Sequence, residues 1–309
     1  MRTTFANTLT EIARADRRVL LLTADLGYMA LEPFAEANPD QFINVGVAEQ
    51  NMLGIATGLS DGGYLPFAYS IAPFASLRPY EFIRNGPVLH HLPVRIVGVG
   101  AGFEYGTAGP THHGIDDAAA LRPQAGLLIV SPADAQQMRT ALLATWDYDG
   151  PIYYRIGKDE KTFVPGLDGR FRVGRAETVR EGNDLAFVVM GALAADVCAA
   201  ADALAAHGLS ASVAVVSTFN PAPVADVARL AEEHRLLVSV EAQYVNGGLG
   251  SFVAETIAEA GSGARLLRIG VERPAQGRSG SQGYYHRLHG LDREAIVRRV
   301  LAVTAGEPV

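Results

Sequence analysis

Glu49 is the residue with the clearest chemical potential, because it opens an apolar helical pattern. Apolar residues recur at helical spacing from Met52 to Leu59, and the pattern stops at Gly62. This spacing predicts a helix that begins near Glu49 and turns its carboxylate toward the interior. A carboxylate buried without a partner tends to keep its proton, and a neutral acid can donate a hydrogen bond. The alternative is an ordinary first-turn glutamate that is stabilised by the helix dipole.

A second chemical segment is GTAGPTHHG, residues 106–114, which is followed by Asp116 and Asp117. A loop rich in glycine and proline lets the backbone and an imidazole approach a ligand closely. A histidine in such a loop could polarise a carbonyl group and exchange protons with a developing alkoxide. His112 is the first candidate. His113 is the second, although a hydrogen-bonded surface histidine is its more ordinary interpretation.

The elements that would position these residues alternate between apolar strand-like runs and amphipathic helical stretches. This alternation predicts an α/β protein with two doubly wound domains, over residues 1–165 and 183–309. The polar segment 157–182, which contains several glycines and a proline, is predicted to be the linker between them. Ser131 and Pro132 follow a strand-like run, and we predict that they begin a helix that ends near Trp146.

Composition excludes several classes of protein. The 309 residues carry a net charge of −7, which gives no basic surface for nucleic acid or for an anionic membrane. No apolar run approaches the roughly 20 residues that would cross a bilayer, and the N-terminus lacks a signal-like apolar core. Cys198 is the only cysteine, so an intramolecular disulfide is impossible. These features predict a cytoplasmic protein with a small-molecule substrate.

The segments 45–66 and 106–114 resemble the transketolase family of thiamine-diphosphate enzymes. The resemblance extends over nearly the whole chain, whose two halves are similar to a pyrimidine-binding domain and a transketolase C-terminal domain. It implies a C-terminal, beta-type subunit of a split transketolase, which is also similar to the C-terminal part of 1-deoxyxylulose-5-phosphate synthase. In this family the cofactor supplies the carbanion chemistry, and the protein supplies orientation and proton control.

The resemblance also implies roles for individual residues. Glu49 would contact N1′ of the aminopyrimidine and promote activation of the cofactor at C2. Cofactor contacts are further implied for Phe74 by ring stacking, for Ile71 by apolar contact, and for Asp25 beside the thiazolium. For the substrate, the implied set is His112 at the carbonyl, His113 near it, and two phosphate-binding arginines, Arg78 and Arg155.

One motif of the family is missing from the sequence. Its members hold Mg²⁺ and the diphosphate with a Gly-Asp-Gly motif followed by asparagines, and the 309 residues contain no Gly-Asp-Gly. The resemblance therefore implies that an N-terminal, alpha-type partner subunit carries this motif and holds the Mg²⁺. Two copies of each subunit are expected to assemble as an α2β2 heterotetramer.

The loop also departs from the family pattern. Thr107 and Ala108 stand where sugar-phosphate enzymes of the family place acidic residues that recognise a substrate hydroxyl. The expected reaction is transfer of a two-carbon ketol unit from a ketose or related donor. Two alternatives stay open, namely the beta subunit of a 2-oxo-acid dehydrogenase or decarboxylase and a catalytically silent assembly partner. A nicotinamide-binding protein is disfavoured because no strand-linked Gly-x-Gly-x-x-Gly is present.

Overall fold

The computed structural model of the chain describes residues 1–274 and 277–306. The strands in this part of the chain are β1 (Val19–Thr23), β2 (Phe42–Asn44), β3 (Leu65–Ile71), β4 (Arg95–Val99), β5 (Leu128–Val130), β6 (Ile152–Ile156), β7 (Ala176–Arg180), β8 (Leu185–Met190), β9 (Ala211–Val216), β10 (Thr218–Phe219), β11 (Leu236–Tyr244) and β12 (Arg265–Val271). They form a seven-stranded sheet in the order β10-β5-β6-β4-β3-β1-β2 and a five-stranded sheet in the order β12-β11-β8-β9-β7.

Helices connect the strands of each sheet. The α-helices of the described residues are α1 (Arg2–Ala15), α2 (Glu32–Ala37), α3 (Glu49–Asp61), α4 (Ala72–Ser76), α5 (Tyr80–Ile83), α6 (Asp117–Leu121), α7 (Ala135–Thr145), α8 (Leu193–Ala205), α9 (Val224–Glu233), α10 (Leu249–Glu259), α11 (Gln282–His289) and α12 (Arg293–Thr304). A π-helical turn spans Arg84–Val88, and short 3₁₀ turns span Pro39–Gln41, Gly106–Ala108 and Pro110–His112. The predicted α/β class with two doubly wound units is confirmed.

The strands are apolar along most of their length because both faces of the sheets are covered. All residues of β3 are buried, as are those of β4, β8 and β9. Neighbouring strands pair in parallel throughout the interior of both sheets. Parallel sheets covered by crossover helices give this continuous apolar pattern, which is why the sequence showed the strands clearly. None of the helices in the described ranges is long and apolar enough to cross a membrane.

Two sequence predictions about local structure were wrong. The segment 157–182 was expected to be a linker, yet its last part forms β7, which pairs antiparallel with β9. The pairing partners lie 33 to 40 residues further along the chain, so the local composition did not reveal the strand. Helix α7 begins at Ala135 rather than after Ser131, because the carboxylate of Asp134 accepts a hydrogen bond from the Gln137 amide and caps the helix.

The two halves of the chain are joined directly by strand pairing and side-chain contacts. Strand β10 comes from the second half but pairs antiparallel with β5 at the edge of the first sheet. The guanidinium of Arg122 binds Glu255 through two hydrogen bonds of 2.9 and 2.6 Å. The second half therefore has a fixed position against the first, next to the loop that carries His112.

Candidate active site

Helix α3 places Glu49 at its N-terminus and buries it. Only 2% of Glu49 is exposed, and Met52, Leu53 and Ala56 continue the same buried face. A helix N-terminus favours a negatively charged side chain, so the position suits a carboxylate electrostatically. The sequence prediction that Glu49 faces the interior from the first turn of a helix is confirmed.

Glu49 is not left unpaired, however, which corrects the expectation that its carboxylate has no partner. Arg78 Nη1 lies 2.8 Å from Glu49 Oε1. The same guanidinium lies 3.8 Å from the centroid of the Phe74 ring. The side chain of Arg78 is 43% exposed, so it reaches the buried carboxylate from the surface. One arginine thus contacts two of the side chains that the sequence assigned to the aminopyrimidine.

His112 joins this group from the glycine-rich loop. Its ring meets Phe74 edge-on, with the ring centroids 4.9 Å apart. Thr111 Oγ1 and His112 Nδ1 are 2.9 Å apart, which fixes the orientation of the imidazole. The loop turns at Gly109, whose φ of 89° is readily adopted by glycine alone. The structure therefore brings together Glu49, Phe74, Arg78 and His112, which lie up to 63 residues apart in the sequence.

Ile71 and Asp25 lie at the carboxyl ends of neighbouring parallel strands, where ligands of open α/β sheets usually bind. Ile71 is buried at the end of β3 and directly precedes the helix that carries Phe74. Asp25 is exposed after β1 and accepts a hydrogen bond of 3.2 Å from Asn44 Nδ2. Asn44 Oδ1 in turn accepts one from the Gly46 amide, which links Asp25 to the loop before Glu49.

His113 does not lie at the surface, so its interpretation as a hydrogen-bonded surface histidine was wrong. The side chain is buried, and its ring meets Phe103 and Tyr285 edge-on at 5.0 and 4.7 Å. Neither ring nitrogen has a hydrogen-bond partner of ordinary geometry among the described residues. His113 therefore packs the loop against α11 of the second half.

Arg155 is likewise buried and is not part of the group around Glu49. Its Nε lies 3.0 Å from Asp117 Oδ2, and its Nη2 donates a 2.7 Å hydrogen bond to the Gly114 carbonyl. Tyr153 donates a further hydrogen bond of 2.6 Å to the same carboxylate. This network holds the segment after His112 onto the sheet. Lys158 lies just beyond the end of β6 and is only half-buried. Its ammonium lies 4.1 Å from the centroid of the Tyr105 ring.

Two residues beside the candidate site were not recognised from the sequence. Asp117 was noted only as part of an acidic pair, and its partner Arg155 lies 38 residues further on. Nothing in the sequence marked Lys158 as a candidate except its position just after the strand-like run that forms β6. No cluster of three or more histidine, cysteine, aspartate or glutamate side chains in residues 1–274 and 277–306 has the arrangement of a metal site.

Both halves of the chain match known protein families. The model described as the transketolase pyrimidine-binding domain matches residues 1–161, and the model of the transketolase C-terminal domain matches residues 174–296. The chain belongs to the transketolase family. This family consists of thiamine-diphosphate-dependent transferases, so the resemblance found in the two motifs is confirmed.

Some individual relatives match this transketolase chain over nearly its whole length and over nearly all of their own length. It is 34% identical over 305 residues to one subunit of the apulose-4-phosphate transketolase of Phocaeicola vulgatus, covering 97% of this chain and 96% of that protein. It is 33% identical to a 6-deoxy-6-sulfo-D-fructose transketolase subunit of Clostridium sp. (strain MSTE9), covering 98% and 94%. A solved structure of a split gene transketolase, an inactive beta4 tetramer, superimposes with a TM-score of 0.87 at 32% identity, covering 97% and 96%.

These relatives decide between the interpretations left open by the sequence. Relatives that match end to end are single subunits of transketolases, which identifies this chain as a beta-type transketolase subunit. The alternatives of a 2-oxo-acid dehydrogenase beta subunit and of a silent assembly partner are less well supported.

Three histidines lie around Phe103, namely His113, His286 and His289. Their burial should make the stability of the folded protein depend on pH. Burial lowers the pKa of His113 and His289, and it lowers that of His286 to about 4. An unfolded chain with ordinary histidines binds protons below about pH 6.5, whereas folded His286 stays neutral down to about pH 4. Between pH 7 and pH 5 this histidine should therefore lower the free energy of unfolding by about 2 kcal/mol.

Urea unfolding of the wild type and of His286→Gln at both pH values measures this effect. The variant should lose less stability than the wild type between pH 7 and pH 5. Burial raises the pKa of Glu104 to about 7. Protonation of this carboxyl between pH 7 and pH 5 increases the free energy of unfolding, and it does so equally in both proteins. His207→Gln, at an exposed position, is the matched control and should follow the wild type. Equal pH slopes for His286→Gln and wild type would contradict the prediction.

Proposed function

We propose that this transketolase subunit forms the aminopyrimidine half of a thiamine-diphosphate site and that the assembled enzyme transfers a two-carbon ketol unit. The observation that carries the proposal is the convergence of Glu49, Phe74 and His112 on one side of the first sheet. Two relatives are named for apulose 4-phosphate and for 6-deoxy-6-sulfo-D-fructose, which supports a ketose or related donor with an anionic group.

The residues at the site fit the aminopyrimidine part of the cofactor. When bound, thiamine diphosphate would supply the nucleophilic chemistry at its C2 atom that acts on the donor carbonyl. Glu49 would share a proton with N1′ from a buried position, and Phe74 and Ile71 would cover the ring. Asp25 would face the thiazolium side, because it lies at the end of the neighbouring strand β1.

We propose that Arg78 releases Glu49 when the carboxylate binds N1′. Its side chain is 43% exposed, so it can turn outward without disturbing the core. We propose that the released guanidinium then binds the anionic group of the donor, since its planar donor fork suits phosphate or sulfonate.

His112 is the proposed proton donor and acceptor at the donor carbonyl. Its ring lies against Phe74, and Nδ1 is engaged with Thr111, so Nε2 is the nitrogen left for the substrate. For His113 and Arg155 we propose supporting contacts rather than direct substrate contact, because both are buried behind this loop. Thr107 and Ala108 provide no carboxylate for a sugar hydroxyl, which favours a donor other than an ordinary sugar phosphate.

We further propose that an alpha-type partner with a Gly-Asp-Gly motif holds Mg²⁺ and the diphosphate, in a cytoplasmic α2β2 assembly. Large apolar side chains lie exposed beside the site, including Tyr28 at 70%, Met29 at 90% and Val47 at 73%. They flank Asp25 and the loop before Glu49, and exposed apolar patches of this kind mark protein interfaces. Domain limits of 1–165 and 183–309 remain our proposal, except that β7, from the segment between them, joins the sheet of the second domain. The last three residues lie outside the described chain.

Substitution of Glu49 by glutamine should abolish or severely reduce activation of the cofactor while leaving the fold intact. Glutamine has nearly the same volume but cannot share a proton with N1′ in the same way. Exchange of the C2 proton of thiamine diphosphate, followed by NMR in the presence of the partner, measures the effect. Glu36→Gln on an exposed helix is the matched control. A wild-type exchange rate in Glu49→Gln would remove the proposed role.

Replacement of His112 by alanine should reduce donor turnover by about 10²- to 10³-fold, the usual cost of losing one acid–base or oxyanion contact. Cofactor binding should change little, because His112 is proposed to act on the donor carbonyl and not to hold the aminopyrimidine. Steady-state rates with saturating ketose donor, together with cofactor titration, separate the two effects. Unchanged turnover would place His112 outside the reaction.

The isolated chain should bind thiamine diphosphate weakly and show no transferase activity. It has groups for the aminopyrimidine, but it lacks the Gly-Asp-Gly motif that anchors the diphosphate through Mg²⁺. Titration calorimetry with Mg²⁺ and thiamine diphosphate, with and without the alpha-type partner, is the direct measurement. Tight stoichiometric binding by this chain alone would contradict a site formed between two subunits.

A further inference from the structure

A separate cavity of about 290 Å³ lies between the two halves of the chain. Residues after the carboxyl ends of strands from both sheets line it, which is the edge where α/β sheets commonly bind ligands. Its polar lining includes Glu104, Ser131, Arg155, Asp196 and His286. The cavity is distinct from the candidate active site, because Glu49, Phe74 and His112 do not line it.

Ser131 presents an unused hydroxyl to this cavity. Only 1% of the residue is exposed, and its Oγ has no hydrogen-bond partner among the described residues. The amide of Ser131 is already bonded to the Ser217 carbonyl, and Asp134 rather than Ser131 caps helix α7. A buried hydroxyl without a partner is costly, so a ligand or water that bonds to it would stabilise this position.

Arg155 and the start of helix α8 meet Ser131 at one corner. A Cβ atom added at Gly191 would lie 3.5 Å from Ser131 Oγ and 3.9 Å from Arg155 Nη1. The φ of Gly191 is 69°, a backbone conformation that favours glycine. Helix α8 begins two residues later and is 13 residues long, and its N-terminus attracts negative charge. A hydroxyl, a guanidinium and a helix N-terminus therefore converge on one small volume.

The remaining polar wall has the opposite character. Glu104 and Asp196 contribute carboxyl groups, and burial raises the pKa of both, to about 7 for Glu104. His286 adds a buried Nε2 without a hydrogen-bond partner in the described structure. These groups suit hydroxyl or ammonium donors on a ligand. The two carboxyl groups also disfavour binding of a doubly charged anion. In addition, Asp117 already balances the positive charge of Arg155.

We propose that this cavity binds a small monocarboxylate that also carries hydroxyl or ammonium groups, such as an amino acid or a hydroxy acid. The carboxylate occupies the corner formed by Ser131, Arg155 and the N-terminus of α8. The hydroxyl or ammonium groups face Glu104 and Asp196. Because both halves of the chain contribute, an occupied cavity would stabilise their relative position.

Calorimetry and thermal unfolding of the full chain with L-serine and D-glycerate test the proposal. At least one acid should bind saturably with a dissociation constant of about 1 mM or tighter and raise the Tm. Ethanolamine, which lacks the carboxylate, should not bind, and inorganic phosphate should bind more weakly than the acid. Binding should persist in Glu49→Gln, which excludes occupancy of the candidate active site as its cause.

Ser131→Ala should weaken binding about three- to tenfold, the value expected for one lost hydrogen bond. Ser239→Ala is the matched control, because Ser239 is also a buried serine whose hydroxyl has no partner in the described chain, but it lies outside the cavity. Asp196→Asn should weaken L-serine more than D-glycerate. The proposal is overturned if neither acid binds saturably, if Ser131→Ala binds like Ser239→Ala, or if phosphate binds as tightly as the acids.

Discussion

The buried ion pair between Arg155 and Asp117 is the interaction on which the site depends. It connects the end of β6 to the start of α6, and Arg155 also bonds to the carbonyl of Gly114. Both partners are almost completely buried, so removing one would leave the other charge uncompensated, at a typical cost of about 3–5 kcal/mol. The pair thereby fixes the loop that presents His112, and it leaves Arg155 Nη1 directed toward the cavity at the second sheet.

Electrostatics also explain how a buried Glu49 is tolerated before any ligand is bound. A carboxylate removed from water is stable only if it is paired or hydrogen-bonded, and Arg78 supplies that pairing from a partly exposed position. The same guanidinium stacks on Phe74, so both proposed cofactor contacts are satisfied by one partly exposed side chain. Because Arg78 is partly exposed, it can turn toward solvent once another group, such as the proposed cofactor, takes over its contact with the buried carboxylate.

The second half of the chain contributes to the site by packing rather than by chemistry. Phe103 stacks on Tyr285 of α11 with ring centroids 4.9 Å apart, and His113 meets both rings edge-on. Strand β10 extends the first sheet from the second half. The loop of residues 106–114 is therefore held from one side by the sheet and from the other by the C-terminal half.

The sequence by itself determined the α/β class, helix α3 with Glu49 buried at its start, and the family motif around His112. These features depend on local periodicity and on short motifs, which are visible along the chain. The tertiary structure decided the partners, because ion pairs and ring contacts join residues far apart in sequence. Only the structure showed that Arg78 pairs with Glu49 and that His113 and Arg155 are buried. It also showed that Asp134 caps α7 and that residues 176–180 form β7. Each of these depends on a neighbour that folding alone brings into reach.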